Sequence, residues 1–394
     1  MRKRRPQISY VWEQRKLGDV ASRIRRKNID GSCQRVLTVS AHDGLVDQTE
    51  FFDRQIAARD TSGYYLLMKG EFAYNKSSSN GFPYGAVKRL ERYETGILST
   101  LYIVFKATGV EPWFLVSYYD SSLWYKEVSA IAAEGARNHG LLNVTPSDFF
   151  ETRICLPQSE SEQKRIGEFF KTLDDLIAAH ERKLELLRLK KRYYLQQIFS
   201  RKLRFRGFTE PWQQRKLGDL YEKSSEKNDG SYGIDAIISV ANMRFKADAS
   251  IRDESYLKTY NIMRLGDIAF EGHSSKDYSH GRFVENDIGD GIVSHVFEVL
   301  RPTEDRDLVF WKYYINDELV MRNILIRSTK ATTMMHTIVI NDFLREKLDV
   351  PSDPGEQQII GKFLVCLDAL IDSYQTKKTH LDRLKTSYLQ KLFV

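Results

Sequence analysis

The 394-residue chain lacks the features that mark secreted, membrane-spanning and metal-binding proteins. Its three cysteines, Cys33, Cys155 and Cys366, are far apart and form no Cys-x-x-Cys pair, which excludes a disulfide framework and a cysteine zinc site. No run of about eighteen apolar residues occurs, so no transmembrane helix is predicted. The basic residues 1–6 are not followed by an apolar segment, which argues against a secretory signal. We therefore expect a cytoplasmic protein without a membrane partner.

Motifs for catalysis are also missing. Proline is scarce, with nine residues and no Pro-Pro pair, whereas an adenine methyltransferase needs an Asn/Asp-Pro-Pro-aromatic motif. No Gly-x-x-x-x-Gly-Lys-Ser/Thr loop for ATP is present. The acids that could serve a nuclease, Asp174 with Asp175 and Asp368 with Asp372, fall in helical patterns, where a solvated helix face explains them better. The sequence predicts a chain with no catalytic or metal site of its own.

The length and the charge of the chain point to two domains and a polyanionic partner. A chain of 394 residues exceeds what one hydrophobic core usually covers, so two globular domains with connecting helices are expected. Lysine and arginine number 60 against 53 acidic residues, which gives a net charge of +7. Clustered basic side chains gain affinity for phosphates by releasing counterions. Nucleic acid is therefore a candidate partner, although many basic proteins bind none.

An internal repeat organises the chain. The segment Glu162–Ile177, EQKRIGEFFKTLDDLI, returns as EQQIIGKFLVCLDALI at Glu356–Ile371. The phrase Trp-x-x-x-x-Leu-Gly-Asp occurs at Trp12 and again at Trp212. Its Trp and Leu predict an anchor in a hydrophobic core, and its Gly-Asp predicts a turn. Repetition of whole phrases in the same order indicates that one structural unit is used twice.

Both repeats continue into a heptad pattern, in which apolar residues alternate at spacings of four and three. A 3.5-residue period over about five heptads predicts long helices paired in a left-handed coiled coil, each about 55–60 Å long. The seam comprises Ile166, Phe170, Leu173, Ile177, Leu184 and Leu187 in the first helix, and Ile360, Leu364, Leu367, Ile371 and Leu381 in the second, where Tyr388 and Leu392 continue it. Polar residues interrupt the seam at His180, Lys191, Lys378 and Lys385, and we expect them to set the register or to extend to solvent.

The remaining sequence predicts mixed α+β domains. In the first domain, strands are predicted at Leu37–Ser40, Gly63–Met68, Phe72–Tyr74 and Leu98–Phe105, and helices at Thr49–Ala58 and Trp113–Ser121. The second domain repeats this framework, since Gly266–Phe270 answers Gly70–Tyr74, but its polar loops differ. Different loops on similar domains are typical of a two-part reader, although exposed loops also drift without functional cause.

The variable loops contain side chains that suit the edges of DNA bases: Arg and Lys for guanine, Asn for adenine, and Ser as an adaptable partner. The DNA-binding candidates in the first domain are Asn75, Lys76, Ser77, Ser78, Tyr84, Lys88, Arg137, Asn138 and His139. Those in the second domain are Asn242, Arg244, His273, Ser274, Ser275, Lys276, Tyr278, Arg282 and Lys330. For each cluster, a soluble loop without a partner is the alternative interpretation.

The order of these features resembles that of the specificity subunits of type I restriction-modification systems, over essentially the whole chain. The resemblance rests on the phrases at Trp12 and Trp212, a variable domain, the junction Pro-x-x-x-x-Glu-Gln at Pro157–Gln163 and Pro351–Gln357, and a long helix, all in duplicate. The run Phe205–Phe208 before Trp212 is also typical of the family, and the first copy lacks it.

The resemblance implies an α+β fold in which two similar α/β target-recognition domains are joined by two long antiparallel coiled-coil helices, with an internal pseudo-two-fold repeat. The implied boundaries are residues 1–156 for the first domain, 157–202 for the central helix, 203–350 for the second domain and 351–394 for the C-terminal helix. Each domain would read one half of a bipartite site in double-stranded DNA.

The family also implies that this chain has no catalysis and no cofactor of its own. It would dock two methyltransferase (modification) subunits, which bind S-adenosylmethionine and methylate adenine, and restriction/translocase subunits, which use ATP and Mg. Two other interpretations remain open. One is a stand-alone tandem DNA-binding regulator that acts by occupancy, and the other is a coiled-coil scaffold that binds protein without DNA.

Overall fold

The computed structural model describes residues 12–52, 60–132, 140–246, 254–332 and 335–393. The strands of the first half are β1 Trp12–Lys16, β2 Ala21–Arg23, β3 Leu37–Ser40, β4 Gly44–Asp47, β5 Tyr65–Met68, β6 Phe72–Asn75, β7 Ala86–Arg89, β8 Thr95–Leu98, β9 Ile103–Ala107 and β10 Arg153–Pro157. Its helices are α1 Leu17–Val20, α2 Gln48–Phe52, α3 Pro112–Asp120, α4 Tyr125–Ile131, α5 Pro146–Glu151 and α6 Glu160–Phe199.

The strands of the second half are β11 Gln213–Lys216, β12 Tyr221–Ser224, β13 Ile238–Ser239, β14 Arg244–Phe245, β15 Asn261–Met263, β16 Ile268–Glu271, β17 Arg282–Glu285, β18 Gly291–Val293, β19 Val299–Pro302, β20 Thr329–Ala331, β21 His336–Ile338 and β22 Lys347–Val350. Its helices are α7 Leu217–Leu220, α8 Leu308–Tyr314, α9 Glu318–Ser328, α10 Ile340–Arg345 and α11 Pro354–Leu392, with short 3-10 turns at Ile234–Ala236 and Glu254–Thr259. The expected mixture of helices and strands, with two long helices, is confirmed.

The chain forms two compact units. Unit 1 comprises Met1–Glu181 and Thr376–Val394, and unit 2 comprises Arg182–Gln375. Each of the long helices, α6 and α11, therefore contributes one segment to each unit. In the part of the chain that the structure describes, no helix is both long and apolar enough to cross a membrane.

Unit 1 is built on a four-stranded antiparallel sheet in the order β2-β9-β6-β7, accompanied by the pairs β1-β10, β3-β4 and β5-β8. The register places Phe72 of β6 opposite Phe105 of β9, and their rings stack with centroids 5.2 Å apart. This pair lies in the same buried core as Leu17, Phe114 and Phe149. The sheet thus buries one face of aromatic side chains against the short helices that follow it.

Most of the local predictions for unit 1 are confirmed. Strands form at Leu37–Ser40, at Tyr65–Met68 and at Phe72–Asn75, and the helix predicted at Trp113–Ser121 is α3. The single strand predicted at Leu98–Phe105 is wrong. Strand β8 ends at Leu98 and β9 begins at Ile103, because the intervening residues make a turn closed by a hydrogen bond from the N–H of Tyr102 to the carbonyl of Ser99.

Two further local predictions, a turn and a helix, match the structure only in part. The turn predicted at Gly18-Asp19 is instead part of helix α1, in which the Asp19 carboxylate accepts a hydrogen bond from the backbone N–H of Lys16 at 3.3 Å. Of the helix predicted at Thr49–Ala58, the described part is α2, which ends at Phe52, and residues 53–58 lie outside the described residues.

Unit 2 contains a four-stranded antiparallel sheet in the order β12-β19-β16-β17, with the pairs β11-β22, β13-β14, β15-β18 and β20-β21. Ile268 of β16 lies opposite Leu300 of β19. Both side chains belong to the main buried core, together with Trp212, Phe310 and Phe343. The predicted role of the Trp212 phrase as a core anchor is therefore confirmed.

The long helices pair within each unit. In unit 1, Asp174 of α6 forms an ion pair with Lys385 of α11 at 2.7 Å, and the ring of Phe169, one turn earlier on α6, meets that of Tyr388, one turn later on α11. The two segments of unit 1 therefore run antiparallel. In unit 2, the Lys191 ammonium lies 2.5 Å from the Asp368 carboxylate.

The apolar seam is shielded from solvent over most of its length. None of its predicted residues up to Leu381 is exposed, and the buried ones are Phe170, Leu173, Leu184, Leu187, Ile360 and Leu364. At the C-terminal end Tyr388 meets Phe169 of α6 but is 38% exposed, Leu392 is also exposed, and Leu389 and Phe393 pack on the core instead. An α-helix with 3.6 residues per turn drifts against a strict 3.5-residue repeat, so the contact stripe moves one residue along.

The polar seam residues do not extend freely to solvent. Lys385 is 19% exposed and pairs with two acids, and Lys191 is 24% exposed and pairs with one. The interpretation of Asp174 and Asp368 as part of a solvated helix face is therefore wrong, since both are ion-pair partners across the helices.

Candidate nucleic-acid interface

Three separate segments of unit 1 meet around the loop between β6 and β7. We call this surface face 1; it consists of residues 40–44, 75–85 and 140–144. The backbone N–H of Ser78 donates to the carbonyl of Gly140 at 2.7 Å, which fixes the loop to the third segment. The ring of Phe82 meets that of His42 with centroids 5.1 Å apart, which fixes the loop to the turn between β3 and β4.

Three of the predicted DNA-binding side chains in unit 1 form contacts inside the unit. The Asn75 amide donates to a carbonyl of strand β3 at 3.0 Å. The Lys76 ammonium donates to the carbonyl of Val144 at 3.3 Å, and burial lowers the pKa of this lysine. The Lys88 ammonium lies 2.9 Å from the Asp120 carboxylate. In this structure all three side chains have partners within unit 1.

The other candidates of unit 1 are placed differently. Ser77 and Ser78 are exposed on face 1. Tyr84 is half-buried, with its ring 5.3 Å from that of Tyr125. Arg137, Asn138 and His139 lie outside the described residues. The described part of face 1 thus exposes serine hydroxyls together with His42, Asp43 and Asn80.

Three segments of unit 2 meet in the same way around the loop between β16 and β17. We call this surface face 2; it consists of residues 239–245, 271–282, 329–332 and 335–338. The N–H of His336 donates to the carbonyl of Gly272 at 2.8 Å, which joins the β20-β21 hairpin to the loop. The Arg282 guanidinium donates to the carbonyl of Ala241 at 2.6 Å, which joins the β13-β14 turn to strand β17.

Most of the predicted side chains of unit 2 reach solvent. The exposed candidates are Asn242, Arg244, His273, Ser274, Ser275, Lys276 and Lys330. Tyr278 and Arg282 are half-buried and hold each other, with the guanidinium 4.8 Å from the ring centroid. The Tyr278 hydroxyl donates to the Asn316 side chain at 2.7 Å. Face 2 is therefore a pre-formed surface that carries exposed cations and amides.

The faces can supply hydrogen bonds and charge. Among the residues that the structure describes, no group of three or more His, Cys, Asp or Glu side chains is placed to hold a metal ion. The exposed Arg244, Lys276 and Lys330 can pair with phosphates or with guanine, and Asn242 can pair with adenine. These exposed side chains offer hydrogen-bond donors, hydrogen-bond acceptors and positive charge.

Two histidines of these faces, His42 and His336, are not among the DNA-binding residues predicted from the sequence. Each comes from a segment that lies far in sequence from the loop it contacts. No local pattern marks either residue, because its position depends on backbone pairing between distant segments.

The fold thus consists of two mixed α/β units, each with an exposed loop face, and of two long helices that each contribute a segment to both units. The particular fold is identified by comparison with solved structures. The S subunit of a type I restriction-modification system from M. genitalium matches 100% of this chain and 98% of its own length, with a TM-score of 0.62 and 15% sequence identity. A chain from a structure on complex assembly and conformational transition of the type I R-M system matches 97% of both chains, with a TM-score of 0.50 and 17% identity.

No protein-family model and no curated protein matches the sequence. The structural likeness therefore shows the fold, and this chain has the fold of type I restriction-modification specificity subunits. The resemblance first seen in the repeated sequence phrases is confirmed at that level.

Proposed function

We propose that this chain is the DNA-specificity subunit of a type I restriction-modification system and that each unit reads one half of a bipartite duplex site. The observation that carries the proposal is the recurrence of the face. In each unit, a β-hairpin turn, the loop that joins a central strand of the sheet to its edge strand, and a third segment meet at one exposed polar surface. A fold whose solved examples are S subunits supports the same function.

The two faces differ in chemistry, and this supports two different half-sites. Face 1 exposes Ser77 and Ser78, whereas face 2 exposes Arg244, Lys276 and Lys330. Serine hydroxyls can donate to and accept from several bases, while arginine and lysine favour guanine or phosphate. We infer that face 2 contributes more of the electrostatic affinity.

The long helices would act as a spacer and as a docking surface. We propose the boundaries 1–156, 157–202, 203–350 and 351–394 for first reading domain, central helix, second reading domain and C-terminal helix, related by a pseudo-two-fold repeat. Helices of 40 and 39 residues are about 60 Å long, which suits a spacer between half-sites. Two methyltransferase subunits and the restriction subunits would dock on this frame and supply S-adenosylmethionine, ATP and Mg.

The test is to co-express the chain with the methyltransferase subunit of its system and to map methylated adenines across the host genome. We expect methylation at one bipartite motif that depends on this chain. Replacing residues 21–155 with the matching region of another specificity subunit should alter only one half of the motif.

A reciprocal exchange of residues 221–349 is the matched control, and it should alter only the other half. Duplex binding without any methylated motif would favour the stand-alone regulator. Absence of duplex binding, with or without the methyltransferase, would favour the protein scaffold.

A further inference from the structure

Two histidine rings lie side by side in face 2. His280 belongs to the loop between β16 and β17, and His336 begins strand β21. Their ring centroids are 5.1 Å apart, and both side chains are half-buried. The hydrogen bond from the N–H of His336 to the carbonyl of Gly272 holds the two segments together. The fold thus places two imidazoles from distant segments at one point of the exposed surface.

Hydrogen bonds fix which nitrogen of His280 carries a proton. The Ser279 hydroxyl oxygen lies 2.9 Å from His280 Nδ1 and 2.7 Å from Glu318 Oε1. A hydroxyl has one proton, and a carboxylate can only accept, so Ser279 donates to Glu318. His280 Nδ1 must then donate to Ser279. In the neutral ring of His280, Nδ1 therefore carries the hydrogen and Nε2 carries the lone pair.

His336 is held by the same arrangement. The Thr329 hydroxyl donates to the carbonyl of Leu325 at 2.7 Å and lies 3.5 Å from His336 Nδ1. Because the Thr329 hydroxyl already donates its proton to Leu325, Thr329 accepts from Nδ1, and the lone pair of the neutral His336 ring is again on Nε2. Across the described residues, no group forms a hydrogen bond with Nε2 of His280 or His336.

The charged residues of face 2 and of the helix before β20 are mostly basic. Face 2 contains Arg244, Glu271, His273, Lys276, Asp277, Arg282 and Lys330, and α9 contains Glu318, Arg322 and Arg327. The nearby acids Glu271 and Glu318 already accept hydrogen bonds from His273 and Ser279.

The pair resists carrying two positive charges. Burial, and then the neighbouring charge of His280, lower the pKa of His336 below its usual value. Two protonated imidazoles at this separation repel each other, so the second proton binds well only when an anion neutralises both rings. An anion that binds here must therefore bring proton uptake with it.

We propose that Nε2 of His280 and Nε2 of His336 bind one phosphate of the DNA backbone and that this pair takes up a proton when it does so. The proposal rests on the proposed function, since it requires face 2 to meet duplex DNA. A phosphodiester oxygen accepts hydrogen bonds from both protonated rings, and such contacts position a protein on the duplex without reading its sequence. The affinity of unit 2 for DNA then rises as the pH falls through the range in which histidine titrates.

The test is the number of protons that the full chain takes up on binding a mixed-sequence DNA duplex. Calorimetric titration at about pH 6.5, in two buffers with different heats of ionisation, gives this number. We expect the H280Q/H336Q double variant to take up about one proton fewer than the wild type. At about pH 6 its plot of log affinity against log salt should be shallower by about 0.9 for the lost phosphate, whereas at about pH 8 the two plots should coincide.

His295→Gln is the matched control, because His295 is an exposed histidine of unit 2 that contacts Tyr256 and lies outside face 2. The single variant H280Q, on a surface loop, replaces the double variant if the latter melts early. Equal proton uptake by wild type and H280Q, with duplex binding intact, overturns the phosphate contact and leaves the proposed function standing.

Inorganic phosphate in place of the duplex separates the two sources of the anion. Proton uptake with the duplex that is lost in H280Q supports the proposal. Uptake with inorganic phosphate but not with the duplex overturns it, because the pair would then be a site for a free anion. If neither wild type nor variant binds duplex at any pH, the proposed function fails together with the phosphate contact.

Discussion

The helix contacts of unit 1 recur in unit 2, whereas the loops of face 1 and face 2 do not. Phe169 and Tyr388 in unit 1 have ring centroids 5.1 Å apart, and so do their counterparts Phe363 and Tyr194 in unit 2. Because each counterpart lies one sequence repeat away on the other helix, a single packing solution serves both units. Contacts that hold a unit together are therefore kept in both repeats, whereas the residues of exposed loops differ between them.

An interhelical ion pair is likewise present in both units, but its further partners differ. Unit 1 joins Lys385 to Asp174 at 2.7 Å and to Asp120 at 2.8 Å, and Asp120 also binds Lys88. Unit 2 pairs Lys191 with Asp368 alone, and the second partner of that acid is the neutral Tyr313 hydroxyl at 2.5 Å. At this site between the helices, unit 1 therefore uses several ion pairs, whereas unit 2 uses one ion pair and one neutral hydrogen bond.

The largest expected effect is a dependence of stability on pH, which arises from a buried glutamate in unit 2. Unit 2 buries Glu285 at the end of β17, where burial raises its pKa to about 8 although Arg306 opposes the shift. The corresponding residue at the end of β7 in unit 1 is Arg89. A carboxyl group whose pKa is raised by folding makes its full contribution to stability below the pKa of the unfolded chain, which is near 4.5. That contribution is lost as the pH rises through the folded pKa of about 8. We expect Glu285→Gln to gain stability relative to wild type over this range, by up to about 5 kcal/mol.

Urea unfolding at a series of pH values measures this difference. The exposed Glu222→Gln in unit 2 is the control and should give a curve parallel to that of the wild type. If the curve of Glu285→Gln also runs parallel to the wild type, Glu285 keeps its charge in the folded protein and the contrast between the units disappears.

A smaller effect is expected from two equivalent helix glycines. A Cβ at Gly167 would lie 2.5 Å from the backbone nitrogen of Phe114, whereas one at Gly361 would lie 3.0 Å from that of Phe310. Backbone cannot move aside as a flexible side chain can, so the tighter site suffers more strain. We expect Gly167→Ala to lower the free energy of unfolding by about 3 kcal/mol.

Gly361→Ala should cost about 1 kcal/mol or less, because the higher helix propensity of alanine offsets part of the strain. Thermal and urea unfolding of both variants measure the contrast, with the exposed helix substitution Ser161→Ala as control. Equal losses would mean that the helices approach their units equally closely and that the two packing sites are more alike than their distances indicate.

The smallest expected effect tests the lysines between the helices. Lys385→Met leaves two acids, Asp120 and Asp174, without their shared partner, and we expect a loss of about 2 kcal/mol. Lys191→Met leaves Asp368 with the Tyr313 hydroxyl, so we expect about 1 kcal/mol. A double-mutant cycle with Asp174→Asn isolates the pair in unit 1. A greater loss from Lys191→Met would reverse the comparison.

The fold was largely predictable from sequence because its main signals are periodic and duplicated. The alternation of apolar residues from Ile166 to Leu187 needs only the geometry of one helix, and the second copy from Ile360 to Leu381 supplies the partner. Towards the C-terminus the predicted seam positions become exposed, as Leu392 shows, because a helix with 3.6 residues per turn drifts against a strict 3.5-residue period. The strand prediction failed at Leu98–Phe105 because an apolar run does not reveal a turn within it.

The candidate site was less predictable, because residue type alone does not say which way a side chain points. Lys76 and Lys88 have the chemistry of DNA contacts, yet one donates to a backbone carbonyl and the other forms an ion pair with Asp120. His336 gave no sequence signal, and it reaches face 2 only because β21 pairs with β20 and hydrogen-bonds to Gly272. All of the DNA-binding candidates, Lys76 and Lys88 included, stay predictions.

The sequence by itself determined the repeat, the two long helices and the mixed sheet units, since these follow from spacings between neighbours along the chain. Tertiary structure alone decided which lysines and acids have ion-pair or hydrogen-bond partners. It also decided that the ring of His280 contacts that of His336. Those outcomes depend on contacts between residues far apart in sequence, and the free energy of such contacts exists only once both segments are held in place.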